Sequence, residues 1–179
     1  MTVETDPKTL LQRYCDEDDQ AAFNRFYRGQ SGRLWGFLRN RGCHEEAAYD
    51  LVAEAFSRFI RVICKDPASP VALLYRIAIN LHIDSHRRET AAPVTVDSRL
   101  LERAPAPESG EYHQLQKQLL RHYLIQLPRD EQNLLLLRYW IGLTHREIAV
   151  VVDMPEGTVR RQAAAAINKI RTSWQADET

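Results

Sequence analysis

The chain has 179 residues, a length that suits one or two small domains, each able to bury a core. Lys and Arg together number 24 and Asp and Glu also number 24, so the net charge lacks the cationic excess typical of nucleic-acid-binding proteins. The three cysteines, Cys15, Cys43 and Cys64, are isolated and form no CxxC pair, which predicts no disulfide framework and fits a reducing compartment.

The N-terminal stretch, Met1 to Gln20, is polar and acidic, which is not the pattern of a signal peptide. No segment approaches the roughly 18 consecutive apolar residues of a membrane span. We therefore expect a cytoplasmic protein without membrane insertion.

Helical periodicity dominates the first half of the chain and strand signals are nearly absent, which predicts an all-α protein. A short first helix is indicated around Leu10, and Asp18 and Asp19 can cap a second. A third helix is predicted to end at Gly42, because glycine commonly follows the last helical turn. The apolar faces of the second and third helices carry Ala22, Phe23 and Phe26, and Leu34, Trp35 and Leu38.

The strongest amphipathic pattern in the chain lies between residues 48 and 63. Its apolar positions hold i, i+3, i+4 spacing, so this helix should be central to its domain. The opposite face carries charged residues, among them Asp50 and Glu54. The apolar face comprises Ala48, Leu51, Val52, Ala55, Phe56, Phe59, Ile60 and Ile63.

A loop from Lys65 to Pro70 follows, and Ser69 with Pro70 is a typical start for the next helix. That helix carries apolar residues from Leu73 to Leu81 and ends in the basic run His86-Arg87-Arg88. We therefore predict a first small helical domain over residues 1–90.

Residues 91–110 show no apolar periodicity and are rich in Pro, Ala and acidic residues, which predicts a flexible acidic linker. About twenty residues of coil have an r.m.s. reach of about 25 Å and about 65 Å when fully stretched. Such a linker can hold two domains on separate parts of a long partner.

The second small helical domain is predicted over residues 111–179. Its first helix carries Tyr112, Tyr123 and Leu127 and is stopped by Pro128, and its second runs from Arg129 to Gly142. Thr144 and Glu147 have the spacing of a capping box at the start of a third. Asp153-Met154-Pro155 breaks that helix, and a fourth begins near Glu156.

A short helix, a tight turn and a second helix with a basic and amide outer face is typical of a helix-turn-helix, whose second helix enters the major groove of DNA. Arg160 and Arg161 lie near the start of that helix, where the helix dipole disfavours cations unless an anion is present. The pattern thus favours contact with phosphate or bases. An ordinary helical hairpin with a solvated charged face is the alternative.

Three segments in order resemble the bacterial RNA polymerase sigma factors of the extracytoplasmic-function group, and the resemblance covers nearly the whole chain. LPRDEQNLLLLRYWIGLTHREIAVVVDMPEGTVRR resembles region 4, which binds the upstream promoter element. YDLVAEAFSRFIR resembles the polymerase-binding helix of region 2. LLYRIAINLHIDSHRR resembles the region 2 helix that melts and recognises the downstream element. The combination is more specific than any one segment.

For polymerase binding, the resemblance implies Asp50, Leu51 and Glu54, on the helix that docks on the clamp helices of the large polymerase subunit. Asp50 and Glu54 are four residues apart and so share a face. A solvated helix face would explain the same carboxylates without a partner.

For the downstream element, the resemblance implies a polar base pocket at Asn80 and a base-specificity loop from Cys64 to Ser69. Capture of an unpaired base requires cations that reach phosphate and groups on which the base stacks. Arg87 and Arg88 also suit a helix C-terminus, whose dipole favours cations. The residues implied to supply stacking and charge are Tyr75, Arg76, Arg87 and Arg88.

For the upstream element, the implied contacts are Thr158, Arg160, Arg161, Gln162 and Ala165. The family commonly has basic residues at Gln162 and Ala165, which implies fewer phosphate contacts and a shallower salt dependence in this chain. Gln162 can still read adenine, and Ala165 can contact a thymine methyl group. Leu73 replaces a usual tryptophan and Ile79 a usual basic residue.

The resemblance also implies the partners: core RNA polymerase, promoter DNA and a controlling anti-sigma factor, with the free protein monomeric. The acidic linker resembles the family's connector toward the polymerase active-site channel, although a solubilising spacer has the same composition. His82 and His86 have the i, i+4 spacing of a helical metal pair, but no third ligand is suitably spaced. We predict no metal site, cofactor or enzyme activity.

Two other functions remain open at this point. A stand-alone helix-turn-helix regulator with an N-terminal protein- or ligand-sensing domain would bind duplex DNA specifically without polymerase. A degenerate sigma-like protein that acts only through protein contacts would give no promoter-dependent transcript.

Overall fold

A computed structural model describes residues 6–66, 68–88 and 122–177. The regular elements in these ranges are helical, which confirms the all-α prediction; the predicted linker at residues 91–110 lies outside them. No helix in the same ranges has the length and apolar character needed to cross a bilayer. The α-helices are α1 (Pro7–Glu17), α2 (Gln20–Asn40), α3 (Glu45–Val62), α4 (Pro70–Arg88), α5 (Arg129–Leu135), α6 (His145–Val152) and α7 (Glu156–Asp177).

The first two helices begin at aspartate caps. The Asp6 carboxylate accepts a hydrogen bond from the Thr9 N–H at 3.1 Å, and Asp19 accepts one from the Ala22 N–H at 3.0 Å. The bond from Ala22 lowers the pKa of Asp19. Asp19 is therefore the cap of α2, whereas Asp18 ends α1 in the left-handed region with φ of 54°.

Helix α2 is one continuous helix of 21 residues, so the prediction of two separate helices in this stretch was wrong. The buried Phe26, Leu34 and Phe37 lie on one stripe that runs the length of α2. Packing of this stripe outweighs the weak helix propensity of the glycines between its ends. The predicted end at Gly42 is confirmed, with φ of +95°.

Helices α1 to α4 form the first half of the structure, and the helices of residues 122–177 form the second half. The core of the first half contains several aromatic rings. Phe26 of α2 stacks on Phe59 of α3 with ring centroids 5.4 Å apart, and Phe37 meets Tyr75 of α4 edge-on at 5.3 Å. Helix α3 is central as predicted, since it packs against both α2 and α4. Ile60 is an exception, because it lies on the outer side of α3 and is 40% exposed.

The structure contains a disulfide bond that the sequence did not predict. Cys15 of α1 and Cys64 form a disulfide bond with their Cα atoms 5.3 Å apart. The prediction of no disulfide was wrong because 49 residues separate the two cysteines, and only the packing of α1 against the 3₁₀ helix Ile63–Lys65 brings them together. Cys43 is buried, and its sulfur lies 3.0 Å from Nδ1 of His82.

The second half is organised around α7. Helix α5 continues into a π-helical turn, Leu136–Trp140, and both α5 and α6 pack against α7. The inward side of α7 carries Val159, Ala163 and Ala166, which are buried against the rest of the core.

The two halves pack against each other through α4 and α6, and their buried apolar residues belong to one cluster. Arg129 Nη1 donates a hydrogen bond to the Arg41 carbonyl at 3.1 Å. The Trp140 ring lies so close to Gly36 that a Cβ atom there would be 3.2 Å from its Cη2 atom. The described halves are therefore docked.

Candidate functional site

Helix α6 begins at the predicted capping box, which is confirmed. The Thr144 hydroxyl accepts a hydrogen bond from the Glu147 N–H at 3.2 Å, and the Glu147 carboxylate accepts one from the Thr144 N–H at 2.8 Å. Burial raises the pKa of Glu147, but hydrogen bonds from the Thr144 N–H and hydroxyl and from the Ser69 side chain outweigh it and lower the pKa overall.

The turn between α6 and α7 has the predicted form. Asp153 adopts the left-handed region with φ of 54° and ends α6, and the Met154 N–H donates to the Ala149 carbonyl at 3.0 Å. After Pro155 the chain re-enters a helix, and the Thr158 N–H donates to the Pro155 carbonyl at 2.9 Å. Helices α6 and α7 thus form a helix-turn-helix.

The outer face of α7 carries the residues predicted to contact the upstream element. Arg160, Arg161 and Ala165 are exposed, whereas Thr158 and Gln162 are half-buried. Arg160 forms an ion pair with Glu156 at 2.8 Å. Since both side chains of this pair are largely exposed, it contributes about 0.5 kcal/mol or less and is readily exchanged for another anion.

The outer face of α3 carries the predicted polymerase contacts. Asp50 and Glu54 are exposed and Leu51 is half-buried between them. Glu54 forms an exposed ion pair with Arg58 at 2.7 Å. Tyr49, which is 58% exposed, adds an aromatic ring to this acidic face.

The face of α4 that carries Arg76 and Asn80 is exposed, one helical turn apart. Tyr75 is fully buried against Phe37, so it is a core residue, and the prediction that it stacks on a base is contradicted by its position. Burial also strongly raises the pKa of its hydroxyl. Arg87 and Arg88 end the helix, and their side chains lie outside the described part of the structure.

Two residues of α4, Leu73 and Ile79, differ from those usual in the family that the sequence resembles, and packing explains both differences. Ile79 is 4% exposed and belongs to the core, where a cation would be costly. Leu73 is half-buried and packs against the same core.

The contact between the halves was missed by sequence reasoning. The already predicted Arg76 lines an open cleft of about 580 Å³ between α4 and the helix-turn-helix. Arg146, Val150 and Met154, which were not predicted, line it from the other side. Arg129 and Trp140 anchor the docking described above. The one available signal was Gly36, because a glycine inside a helical pattern often marks a close approach.

Comparison with known proteins finds similarity to RNA polymerase sigma factors. Residues 117–170 match the family model described as Sigma-70, region 4. The chain is 26% identical over 175 residues to the ECF RNA polymerase sigma factor RpoE of Cereibacter sphaeroides, covering 93% of this chain and 94% of the relative. It is also 26% identical over 185 residues to the RNA polymerase sigma-H factor of Pseudomonas aeruginosa, covering 94% and 95% of the two chains.

A solved structure has the same fold. The sigma factor RpoE of Bartonella quintana, determined in complex with the anti-sigma factor NepR, superposes with a TM-score of 0.60 and 17% identity. The superposition covers 87% of this chain and 98% of that one.

Proposed function

The chain is an RNA polymerase sigma factor of the extracytoplasmic-function group, and on this premise we propose how its residues divide the work of promoter recognition. Sigma factors bind core RNA polymerase and promoter DNA to initiate transcription. Residues 1–90 bind polymerase and melt DNA, residues 111–179 bind the upstream element, and residues 91–110 connect them. The chain performs no covalent chemistry and works in the cytoplasm, where RNA polymerase acts.

Polymerase binding is assigned to the acidic face of α3. Asp50 and Glu54 are exposed one turn apart, with Leu51 between them and Tyr49 beside them. Exposed carboxylates with a partly exposed apolar side chain suit docking on a basic, partly apolar helical partner. The ion pair of Glu54 with Arg58 does not prevent this, because such an exposed pair is weak.

Upstream recognition is assigned to the outer face of α7. Arg160 and Arg161 project from the second turn of a helix whose first turn follows the helix-turn-helix bend. Cations at this position reach phosphate, and Gln162 can hydrogen-bond a base edge. Ala165 lies one turn farther along the helix, where its methyl group can contact a thymine methyl.

Downstream capture is assigned to Arg76 and Asn80, with Arg87 and Arg88 at the end of α4. Arg76 supplies charge and Asn80 supplies a polar group for an unpaired base. Tyr75 is left out of the proposed site because its ring is buried.

The contact between the two halves adds a requirement for promoter binding. Since α4 packs against α6, the two DNA-binding faces cannot sit on distant promoter elements while the halves remain in contact. Initiation therefore requires the halves to separate, within the roughly 65 Å that a stretched twenty-residue linker allows. We also propose that an anti-sigma factor controls the chain, as the Bartonella quintana relative was solved with one.

The observation that carries the proposal is the exposed helix-turn-helix joined to an exposed acidic face in a chain that matches sigma factors along its length. A stand-alone regulator lacks this support, because the full-length relatives are sigma factors.

The test is transcription in vitro by core polymerase on a library of genomic fragments, comparing the native chain with Asp50→Arg/Glu54→Arg. Losing a charged contact at an interface typically costs about 2–5 kcal/mol, so polymerase affinity should fall about 30-fold or more and transcripts should vanish. The matched control is Asp16→Arg/Glu17→Arg. It makes the same change in charge at exposed positions in the last turn of α1, where the helix dipole favours cations. Equal transcription by both double variants would refute the polymerase assignment, and specific duplex binding without any transcript would favour the regulator.

A further inference from the structure

The disulfide between Cys15 and Cys64 lies at the edge of the proposed DNA-melting region. Cys15 is half-buried in the last turn of α1, and Cys64 is exposed in the 3₁₀ helix that follows α3. The third cysteine, Cys43, is buried and takes no part in the bond. The bonded pair is therefore reachable from solvent through Cys64.

Cys64 is also the first residue of the segment that resembles the base-specificity loop, and Ser69 is the last. The disulfide holds the first end of this loop against α1. The other end of the loop leads directly into α4, which packs against α6 of the helix-turn-helix. In the disulfide form, the loop is thus fixed to α1 at one end and continues into the docked α4 at the other.

We propose that Cys15 and Cys64 form a reversible dithiol–disulfide site whose oxidation suppresses promoter opening. The proposal rests on the proposed function, because it assigns regulation to the loop that closes on an unpaired base. Intracellular disulfides are commonly transient and redox-sensing, since cellular reductants keep accessible thiols reduced. A disulfide that includes an exposed residue such as Cys64 is open to such exchange.

The chemistry is thiol–disulfide exchange with a low-molecular-weight disulfide as the oxidant. The Cys64 thiolate attacks the oxidant, forms a mixed disulfide and releases one thiol. The Cys15 thiolate then attacks the Cys64 sulfur, closes the protein disulfide and releases the second thiol. The two cysteines lose two electrons and two protons, and the oxidant gains both as two thiols; excess small thiol reverses the reaction.

The direction of the effect follows from the covalent link between Cys64 and α1. A loop that must rearrange around a captured base loses this freedom when Cys64 is bonded to α1. Breaking the bond removes the covalent link between Cys64 and α1, so noncovalent packing restrains this end of the loop less tightly. The reduced form should therefore open promoters more readily.

The experiment compares the full chain after oxidation by glutathione disulfide and after reduction by dithiothreitol, each removed before core polymerase is added. Alkylation followed by peptide mass mapping scores Cys15 and Cys64 in both samples. We expect both to be blocked after oxidation and both to be alkylated after reduction, and the oxidised form to give about fivefold less transcript. Cys15→Ser/Cys64→Ser should match the reduced form whatever the treatment, and Cys43→Ser should respond as the native chain does.

Alkylation of both cysteines after oxidation would overturn the redox site. A formed disulfide with unchanged or increased transcription would overturn its regulatory effect. Failure of the proposed function looks different, because the reduced chain and the double serine variant would then also give no transcript, and the regulatory proposal would fail with it.

Discussion

The docking of the two halves can be perturbed at a single glycine. Gly36 of α2 faces Trp140, and a Cβ atom at this position would lie 3.2 Å from the Cη2 atom of the ring. Gly36→Ala needs only a small shift of the ring. Gly36→Glu adds a longer, charged side chain that cannot fit without moving Trp140 away from α2.

The magnitude follows from two opposing effects. Replacing glycine in a helix interior favours α2 by about 0.5–1 kcal/mol, so the first half should remain folded. Overpacking at the contact costs about 1–3 kcal/mol, which lowers the docked population about 5- to 150-fold relative to the separated one. The variant should therefore keep its helices while losing the contact between its halves.

Gly32→Glu is the matched control. Gly32 lies one turn earlier on α2, and in the described part of the chain no atom beyond the neighbouring backbone of α2 comes within 4 Å of the position that its Cβ atom would take. Gly32→Glu therefore introduces the same residue and charge into the same helix without touching the described part of the second half.

Small-angle X-ray scattering measures the outcome. A compact chain of this length has a radius of gyration of about 16 Å, and separated halves on a coil linker should raise it by about 5 Å. Gly36→Glu should show this increase and Gly32→Glu should not, with equal helix content by circular dichroism. Identical radii for the native chain and both variants would refute the reasoning that this contact holds the halves together.

Three further predictions concern individual side chains. Thr144→Ala removes the cap of α6 and should cost about 1 kcal/mol, or about 2–4 °C in Tm by thermal denaturation; an unchanged Tm would contradict the capping role. The pKa of Glu147 is lowered from its ordinary 4.5, so its contribution to stability is present above that pH and is lost as the pH falls through the folded value. The free energy of unfolding, measured with urea, should therefore fall less in Glu147→Gln than in the native chain when the pH is lowered from neutral to below 4.5. An equal fall in the two proteins would contradict this contribution of Glu147. Tyr75→Phe removes a buried hydroxyl that has no hydrogen-bond partner among the described residues, so Tm should not fall and promoter-dependent transcription should be unchanged. A loss of transcription alone would restore a DNA-binding role for the hydroxyl.

Local features of the helix-turn-helix were determined by the sequence itself. The capping box of Thr144 and Glu147, the left-handed Asp153 and the inward stripe of α7 each depend on residues within a few positions of one another. Interactions of this range are set by backbone geometry and side-chain type, so spacing alone predicts them. The exposure of Asp50 and Glu54 followed in the same way from the periodicity of α3.

Other features depended on contacts between residues far apart in the chain. The sequence divided α2 into two helices, but burial of Phe26 and Phe37 against α3 and α4 makes it continuous. The resemblance implied that Tyr75 stacks on a base, whereas its burial and its contact with Phe37 place it in the core.

The disulfide and the contact between the halves likewise depend on tertiary structure. Cys15 meets Cys64 because α1 folds back on the end of α3, and Arg129 meets the Arg41 carbonyl across 88 positions of the chain. Residue spacing reports the face of one helix but carries no information about which faces meet. Helix boundaries and outward faces could therefore be predicted from this sequence, whereas the pairing of those faces was decided by burial of the shared core.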